Sequence, residues 1–428
     1  MDKTSFFLKG DICWSASPTS LKTAEDSFIL CTNGKSGGVF TEIPNTHANL
    51  PVKDFSGMLI IPGLTDLHTH APQFAFRALG MDMELLEWLQ KSAFPEEAKY
   101  IDPEYAEEAY GRFVEHIRKG PNTRLCVYST IHVGGTLILM DLLEKSGLVS
   151  LVGKVNMDRN CPEYLEEKNS VETTLEWLDT FYRHRELGRY KNTSPIITPR
   201  FIPSCSDDLL KSLARIQGKH NLPLQSHLSE NREEIEWVKR LWPSSENYAG
   251  AYADAGLLEG PTLMAHCVWS DEKEMDVLAK KGVYVAHCPQ SNMNLSSGIA
   301  PVRRFLERGI AVGLGSDVAG GANTSIFRAM GDAIQVSKLR RCFHQEKALT
   351  MEEAFYMGSA GGGSFFGKLG AGSAGSFEPG WEFDALVIDD GAFTFLAKRN
   401  LRDRLERVIC LSDSRNIIEK YVRGISVL

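Results

Sequence analysis

Between residues 58 and 317 the chain alternates short apolar runs with helix-period segments, and this alternation restricts its fold more than any other feature. The candidate strands are Met58-Leu59-Ile60-Ile61, Leu125–Thr130, Val152–Met157, Pro195–Ile202, Pro223–His227, Thr262–Val268, Val283–His287 and Ala311–Asp317. Segments of helical period fill most of the gaps: Pro103–Lys119, Glu172–Tyr190, Asp207–Gly218, Asn231–Leu241, Ser270–Lys281 and Val302–Arg308. Strands that take turns with helices pair in parallel through crossovers, and units of this kind repeated over roughly 300 residues fit an α/β fold of the (β/α)8 TIM-like barrel type. The flanks differ. Runs such as Phe6-Phe7-Leu8, Phe28-Ile29-Leu30-Cys31 and Gly38-Val39-Phe40 are broken by Gly, Asn, Pro and Ser and read as hairpins. The turn Gly375–Gly380 leading into Asp384–Ile388 reads alike. The expectation is a small β-sandwich domain formed from both termini, residues 1–60 with 371–428, around a barrel of residues 61–370. The barrel would carry an insertion at about residues 77–102, whose apolar-periodic stretch Met83–Lys91 predicts a helix lying over the mouth as a lid or a plain cap.

Bulk properties narrow the function. With 428 residues, 43% hydrophobic and 24% charged, the composition is that of an ordinary globular protein. A formal net charge of -8 and the lack of any Lys/Arg-rich run argue against nucleic acid and for a small-molecule substrate. No apolar stretch approaches a membrane span, and the run at Phe6 is too short for a signal-peptide core, so a cytoplasmic setting without membrane contact is expected. Nine cysteines without paired spacing or a CxxC fit reduced thiols.

The chemistry concentrates at strand ends. His68 and His70, one residue apart in PGLTDLHTHAPQ, point to one side of an extended chain, with Asp66 and Gln73 as further polar groups nearby. His227 ends the fifth strand in QSHLSE, His266 lies near the end of the sixth in LMAHCV, and Asp317 ends the eighth in GLGSD. In a barrel all these ends face one mouth, where active sites are built. His68, His70, His227 and Asp317 make a three-imidazole, one-carboxylate set suited to Zn2+ or Fe2+ with an open position for water. Glu230 reads either as a helix-start carboxylate or as a proton shuttle beside activated water. Arg200 and Phe201, ending the fourth strand in TPRFIP, read either as a carbonyl-binding cation with a stacking ring or as a salt bridge with a core aromatic. His132 and His287 sit near strand ends and are expected to make structural hydrogen bonds. The Gly358–Gly375 run lacks a Gly-Lys-Ser/Thr and a preceding strand, so a closely packed helix and a turn are expected in place of a phosphate loop. H-x-E occurs at His184 and His344, but no P-C-x-x-C accompanies it, so the zinc site of base-flipping deaminases is absent from the sequence.

PGLTDLHTH, HLSE, HCPQSN and GLGSD together resemble the amidohydrolase superfamily of metal-dependent barrel hydrolases over nearly the whole chain. Within it, HAPQF, LLEWLQKSAFPEE, PRF, HLSE and GSDVAGG are most similar to the members that deaminate guanine. The resemblance implies a single zinc on His68, His70, His227 and Asp317, with Glu230 as proton shuttle and His266 and Asp317 beside the activated water. It further implies purine contacts from Gln73, Arg200, Phe201 and Glu230, a homodimer, and hydrolysis of guanine to xanthine and ammonia. Strand four has no lysine in PIITPRFIP, which matches the mononuclear members and not the binuclear ones. The alternatives are deamination of another aminated heterocycle, such as a pterin, an adenosine-like compound or a triazine, and a catalytically silent barrel acting as a scaffold.

Overall fold

The computed structural model describes residues 5–393, 397 and 399–428. Residues 1–4, 394–396 and 398, which the expected terminal domain includes, lie outside the described residues. Both ends of the chain meet in one seven-stranded sheet. Phe6–Ser17, Ser20–Thr32 and Lys35–Phe40 form an antiparallel meander, Val52–Pro62 adds to Phe6–Ser17 in parallel, and Ala385–Ile388 and Ile417–Val422 continue the sheet on the other side of Val52–Pro62. The expected sandwich is thus a single hydrogen-bonded ladder, with the unforeseen helix Leu401–Leu411 packed against it.

Side chains on a strand alternate between faces, and here both faces are covered. Phe6, Leu8, Ile12, Ile60, Ala385 and Val387 share one small core with Phe377, Phe383 and Tyr421. Cys13, Leu59, Ile61, Leu386 and Ile388 turn the other way into the main core. This double burial explains why Met58–Ile61 is apolar at successive positions, and it corrects the strand assignment. A doubly covered strand has the same continuous apolar signature as a barrel strand, but Met58–Ile61 belongs to the terminal sheet. The first barrel strand is Leu64–His70, carrying both histidines within it. Gly63 separates the two, because a Cβ there would come within 2.4 Å of Thr123 and 2.9 Å of Asp384.

Val155–Asn156 pairs separately with Thr198–Pro199, and most of the other parallel strands fall into two four-stranded ladders. One runs through Leu64–His70, Asn122–Tyr128, Val149–Gly153 and Thr193–Pro195; the other through Leu224–Leu228, Thr262–His266, Tyr284–His287 and Val312–Leu314. The ladders are not continuous, but backbone hydrogen bonds join them on both sides. The Gln225 N–H donates to Ile197 O at 2.9 Å, and the Ile197 N–H to Pro223 O at 2.9 Å. On the other side the Asp317 N–H donates to His68 O at 2.8 Å and the His70 N–H to Val318 O at 3.1 Å. The helices foreseen between strands are present with ends shifted by a few residues, and Val133–Ser146 and Ile326–His344 are added. The glycine-rich run forms helical turns over Met357–Lys368 followed by a turn, as expected. Among the described residues no helix is long and apolar enough to cross a membrane.

One buried ion pair ties the terminal sheet to the barrel. Arg124 Nε donates to Asp384 Oδ2 at 2.8 Å with both side chains fully buried, and Asp384 Oδ1 also accepts the Arg423 N–H. Removing one partner strands a charge without water. Arg124→Ala is therefore expected to lower unfolding free energy by about 3–5 kcal/mol in a denaturant titration, and a loss within experimental error would refute that role for the pair.

Candidate metal centre and active site

The carboxyl ends of the parallel strands gather the polar residues that the sequence scattered over 250 positions. His68 and His70 lie on the same face of Leu64–His70, His227 is on Leu224–Leu228, and His266 ends Thr262–His266. Asp317 follows Val312–Leu314, and its placement rests on two devices. Its backbone is hydrogen-bonded to His68, as above, and Gly315 lets the chain pass, since a Cβ there would approach His68 Cβ and Cys288 Sγ within 2.8 Å. Asp317, His266, Cys267 and Ser229 all adopt left-handed backbone conformations without being glycine. Such conformations persist where the surroundings over-determine them and cluster at functional sites.

The distances form a compact set. His70 Nε2 lies 3.3 Å from His68 Nε2 and 3.2 Å from His227 Nε2. Asp317 Oδ1 is 3.2 Å from His68 Nε2 and 3.5 Å from His70 Nε2. Zn–N bonds of about 2.0–2.1 Å at tetrahedral angles place ligand nitrogens about 3.3–3.4 Å apart, which matches these spacings; His68, His70 and His227 form one candidate metal group, with Asp317 beside its first two members. Their protonation fits as well. Burial, with the neighbouring imidazoles, holds His70 and His227 well below the ordinary histidine range, and burial outweighs Asp317 at His68. All three are therefore neutral, as ligands must be. Burial would raise the Asp317 carboxyl, yet His68, His266 and His70 hold it far below the usual carboxylate range. The His227 Nδ1–H donates to Arg200 O at 2.6 Å, which leaves the Nε2 lone pair turned to the cluster. Tyr128 stacks on His70 with ring centres 4.4 Å apart. Cys288 is also close enough to join His68, His266 and Asp317 in a donor group. Burial raises its thiol well above the ordinary value and the S–H faces Ala286 O, so it is a poor ligand beside the imidazoles.

A second layer surrounds this set. His266 Nε2 is 3.5 Å from Glu230 Oε2 and 3.7 Å from Asp317 Oδ2, while its Nδ1–H donates to Asn292 Oδ1 at 2.9 Å. Burial lowers the His266 basicity, but Glu230 and Asp317 more than offset this, leaving it raised. Burial pushes the Glu230 carboxyl up to about 7, against the pull of His266. Ser297 Oγ donates to Glu230 Oε1 at 3.1 Å, and Glu234 accepts the Glu230 N–H at 3.1 Å. A carboxyl poised near neutrality beside a metal-type donor set is suited to carrying protons.

His70, Gln73, Arg200, Phe201, His227, Glu230, His266 and Asp317 line one pocket together with Leu85, Trp88 and Leu89 from the insertion. For Arg200 the ion-pair reading is met. It lines the pocket and also forms a buried ion pair with Glu97, Nη1 to Oε2 at 2.5 Å and Nη2 to Oε1 at 3.0 Å. Two expectations, for His287 and His132, need correction, and Asp66 is placed outside the cluster. Asp66 lies two residues deeper on the same strand face as His68, accepts from the Ser316 N–H at 3.0 Å and from its hydroxyl, and takes no place in the cluster. Neither ring nitrogen of His287, nor His132 Nε2, finds a protein partner, so the expected structural hydrogen bonds are not made there. Burial keeps His287 neutral, its pKa lowered to about 3. The sequence reading missed Glu97, Tyr128, Asn292, Ser297 and Glu234. Glu97 and Asn292 fall inside the motifs LLEWLQKSAFPEE and HCPQSN, but nothing local in either motif marks which polar residue faces the site.

The Amidohydrolase family profile matches residues 59–427. Guanine deaminase of Mus musculus is 40% identical over 379 residues, covering 86% of this chain and 82% of the mouse protein. Guanine deaminase of Escherichia coli is 32% identical over 95% of this chain and 92% of its own length. The crystal structure of guanine deaminase from C. acetobutylicum with bound guanine in the active site superposes with a TM-score of 0.94 at 41% identity, covering 99% of this chain and 100% of that one.

If the imidazole cluster holds one divalent ion, native protein should carry about one ion per chain. His70→Ala should then lose most of it, because the substitution removes one of four donors and the one that stands between His68 and His227. Elemental analysis after gel filtration checks this, and full metal retention in the variant would exclude His70 as a ligand.

Proposed function

This chain belongs to the amidohydrolase family, and from that membership we propose that its pocket hydrolyses guanine to xanthine and ammonia. What carries the reading is the union in one pocket of an imidazole–carboxylate donor cluster, a buried carboxyl whose pKa burial raises and a cation–aromatic wall, in a chain so similar to a guanine-bound deaminase. In this reading the fold is a TIM-type barrel of residues 61–370, with the insertion at about 77–102 as its lid, beside a β domain of residues 1–60 and 371–428.

His68, His70, His227 and Asp317 would hold one zinc ion. Bound there, the ion would supply Lewis acidity and acidify a water for attack on C2 of the purine. The protein's own groups do the rest. His266 Nε2 and Asp317 Oδ2, facing each other across 3.7 Å, orient the attacking water and accept its proton. Glu230 donates a proton to the ring nitrogen next to C2, which makes that carbon electrophilic, and later carries one to the departing amino group. The C2–N bond breaks, a C2–O bond forms, and ammonia leaves. Phe201 offers its face to the ring, while Arg200 and Gln73 donate to the 6-oxygen. A site built around such donors penalises a purine that lacks the acceptor, so adenine should be a poor substrate.

Zinc-loaded protein is expected to release ammonia from guanine and little from adenine, pterins or triazines in a steady-state assay; no release from guanine at full metal content would refute the assignment. Glu230→Gln should lower kcat by about 10²–10⁴-fold with metal content unchanged. Turnover within a few-fold of wild type would remove Glu230 from the proton path.

A further inference from the structure

The insertion contributes more than apolar pocket lining. Its helical run from Leu85 to Ile101 is pinned by Tyr100, whose hydroxyl donates to Pro72 O at 3.0 Å, and it sends Glu97 inward to a fully enclosed position with only 3% of its surface exposed. The Glu97 carboxylate meets two pocket residues from different segments, Gln73 in the helical turn Ala71–Phe76 and Arg200 just after Thr198–Pro199. It pairs with both terminal nitrogens of Arg200, as above, and accepts from Gln73 Nε2 at 2.8 Å, while Gln73 Oε1 accepts the Ala319 N–H at 3.0 Å. The Gln73 amide is thereby held from both ends. Phe94, from the same helical run, lies against the guanidinium with its ring centre 5.1 Å from Arg200 Cζ. Glu97 uses only part of the donor set of Arg200 and Gln73, and the rest remains for a ligand.

The charge arithmetic is as informative as the geometry. A lone guanidinium buried in a pocket would favour an anion, because an unpaired charge without water seeks its opposite. Glu97 cancels that charge while leaving N–H donors free. We propose that Glu97 is a positioning residue that sets the specificity of this wall for a neutral carbonyl oxygen, such as the 6-oxo group of guanine, against anionic groups in the same place. The inference rests on the guanine reading above, in which Arg200 and Gln73 face the purine.

The test compares guanine with purine-6-carboxylate, which puts an anion where the neutral oxygen stands, using kinetics and direct calorimetric binding. Wild type should bind purine-6-carboxylate at least about tenfold more weakly than guanine. Glu97→Gln should raise the guanine KM about tenfold or more with kcat changed far less, and should tighten purine-6-carboxylate by about tenfold, inverting the preference. Glu97→Asp keeps the charge and should retain discrimination against the carboxylate even where guanine affinity drops. Equal wild-type affinity for the two ligands overturns the proposal. So does a Glu97→Gln protein in which both affinities stay within about twofold of wild type, or fall in parallel as a merely structural loss would cause. Should Glu97→Gln fail to fold, the wild-type preference and the Glu97→Asp comparison still decide. Wild type that binds guanine but releases no ammonia would count against the proposed reaction, leaving the binding comparison to judge Glu97.

Discussion

Three buried imidazole nitrogens, with His70 Nε2 close to those of His68 and His227 and the Asp317 carboxylate beside His68 and His70, are the constraint on which the rest of this structure depends. The Nε2 atoms of His68 and His227 lie 3.2–3.3 Å from that of His70, a close approach that is unfavourable unless a proton or a cation lies between the nitrogens. Burial removes the option of solvation, and it also depresses the imidazole basicity that would otherwise supply protons as the positive element. A divalent ion resolves both conflicts at once. The surrounding fold is arranged to hold these donors in place regardless of their mutual repulsion, through the ladder that carries the first pair and the backbone bonds from Asp317 and Val318 back to His68 and His70.

Several groups next to the cluster have their own support, although the Tyr128 hydroxyl has no protein partner. Arg200 O orients His227, Asn292 orients His266, Ser297 and Glu234 restrain Glu230, and Asp66 fastens the start of the eighth-strand loop through Ser316. These partners come from five different segments of the chain, so the geometry of the site is a property of the closed fold and not of any local motif. The insertion joins the same network through Glu97, which lets its pocket-lining residues and the recognition wall be ordered together. His287 is a further exception: it is buried at a strand end without a protein partner, and nothing in the structure accounts for it.

The interior of the barrel and the terminal sheet also show where patterning misleads. Met58–Ile61 and Ala385–Ile388 are apolar at every position because their sheet is covered on both faces. Leu64–His70, the true first barrel strand, looks less like a strand because its inward face carries Asp66, His68 and His70. Functional residues replaced the apolar pattern at the place where the pattern was needed to find the strand. The helices Val133–Ser146 and Ile326–His344 escaped for a related reason: both are apolar or mixed around much of their circumference, so no sharp stripe marks them.

The sequence by itself determined the alternation of strands and helices, the positions of His68, His70, His227, His266, Glu230 and Asp317 at strand ends, and the match of those motifs to one family. These are legible because period and residue chemistry are local properties, and because parallel barrels put all strand ends on one side. Tertiary structure alone decided which strand carries the first histidine pair, which nitrogen of each imidazole faces the cluster, and that Glu97 stands between Arg200 and Gln73. Those depend on contacts between residues about 24 to 250 positions apart, whose distances are set only when the chain closes and water is excluded.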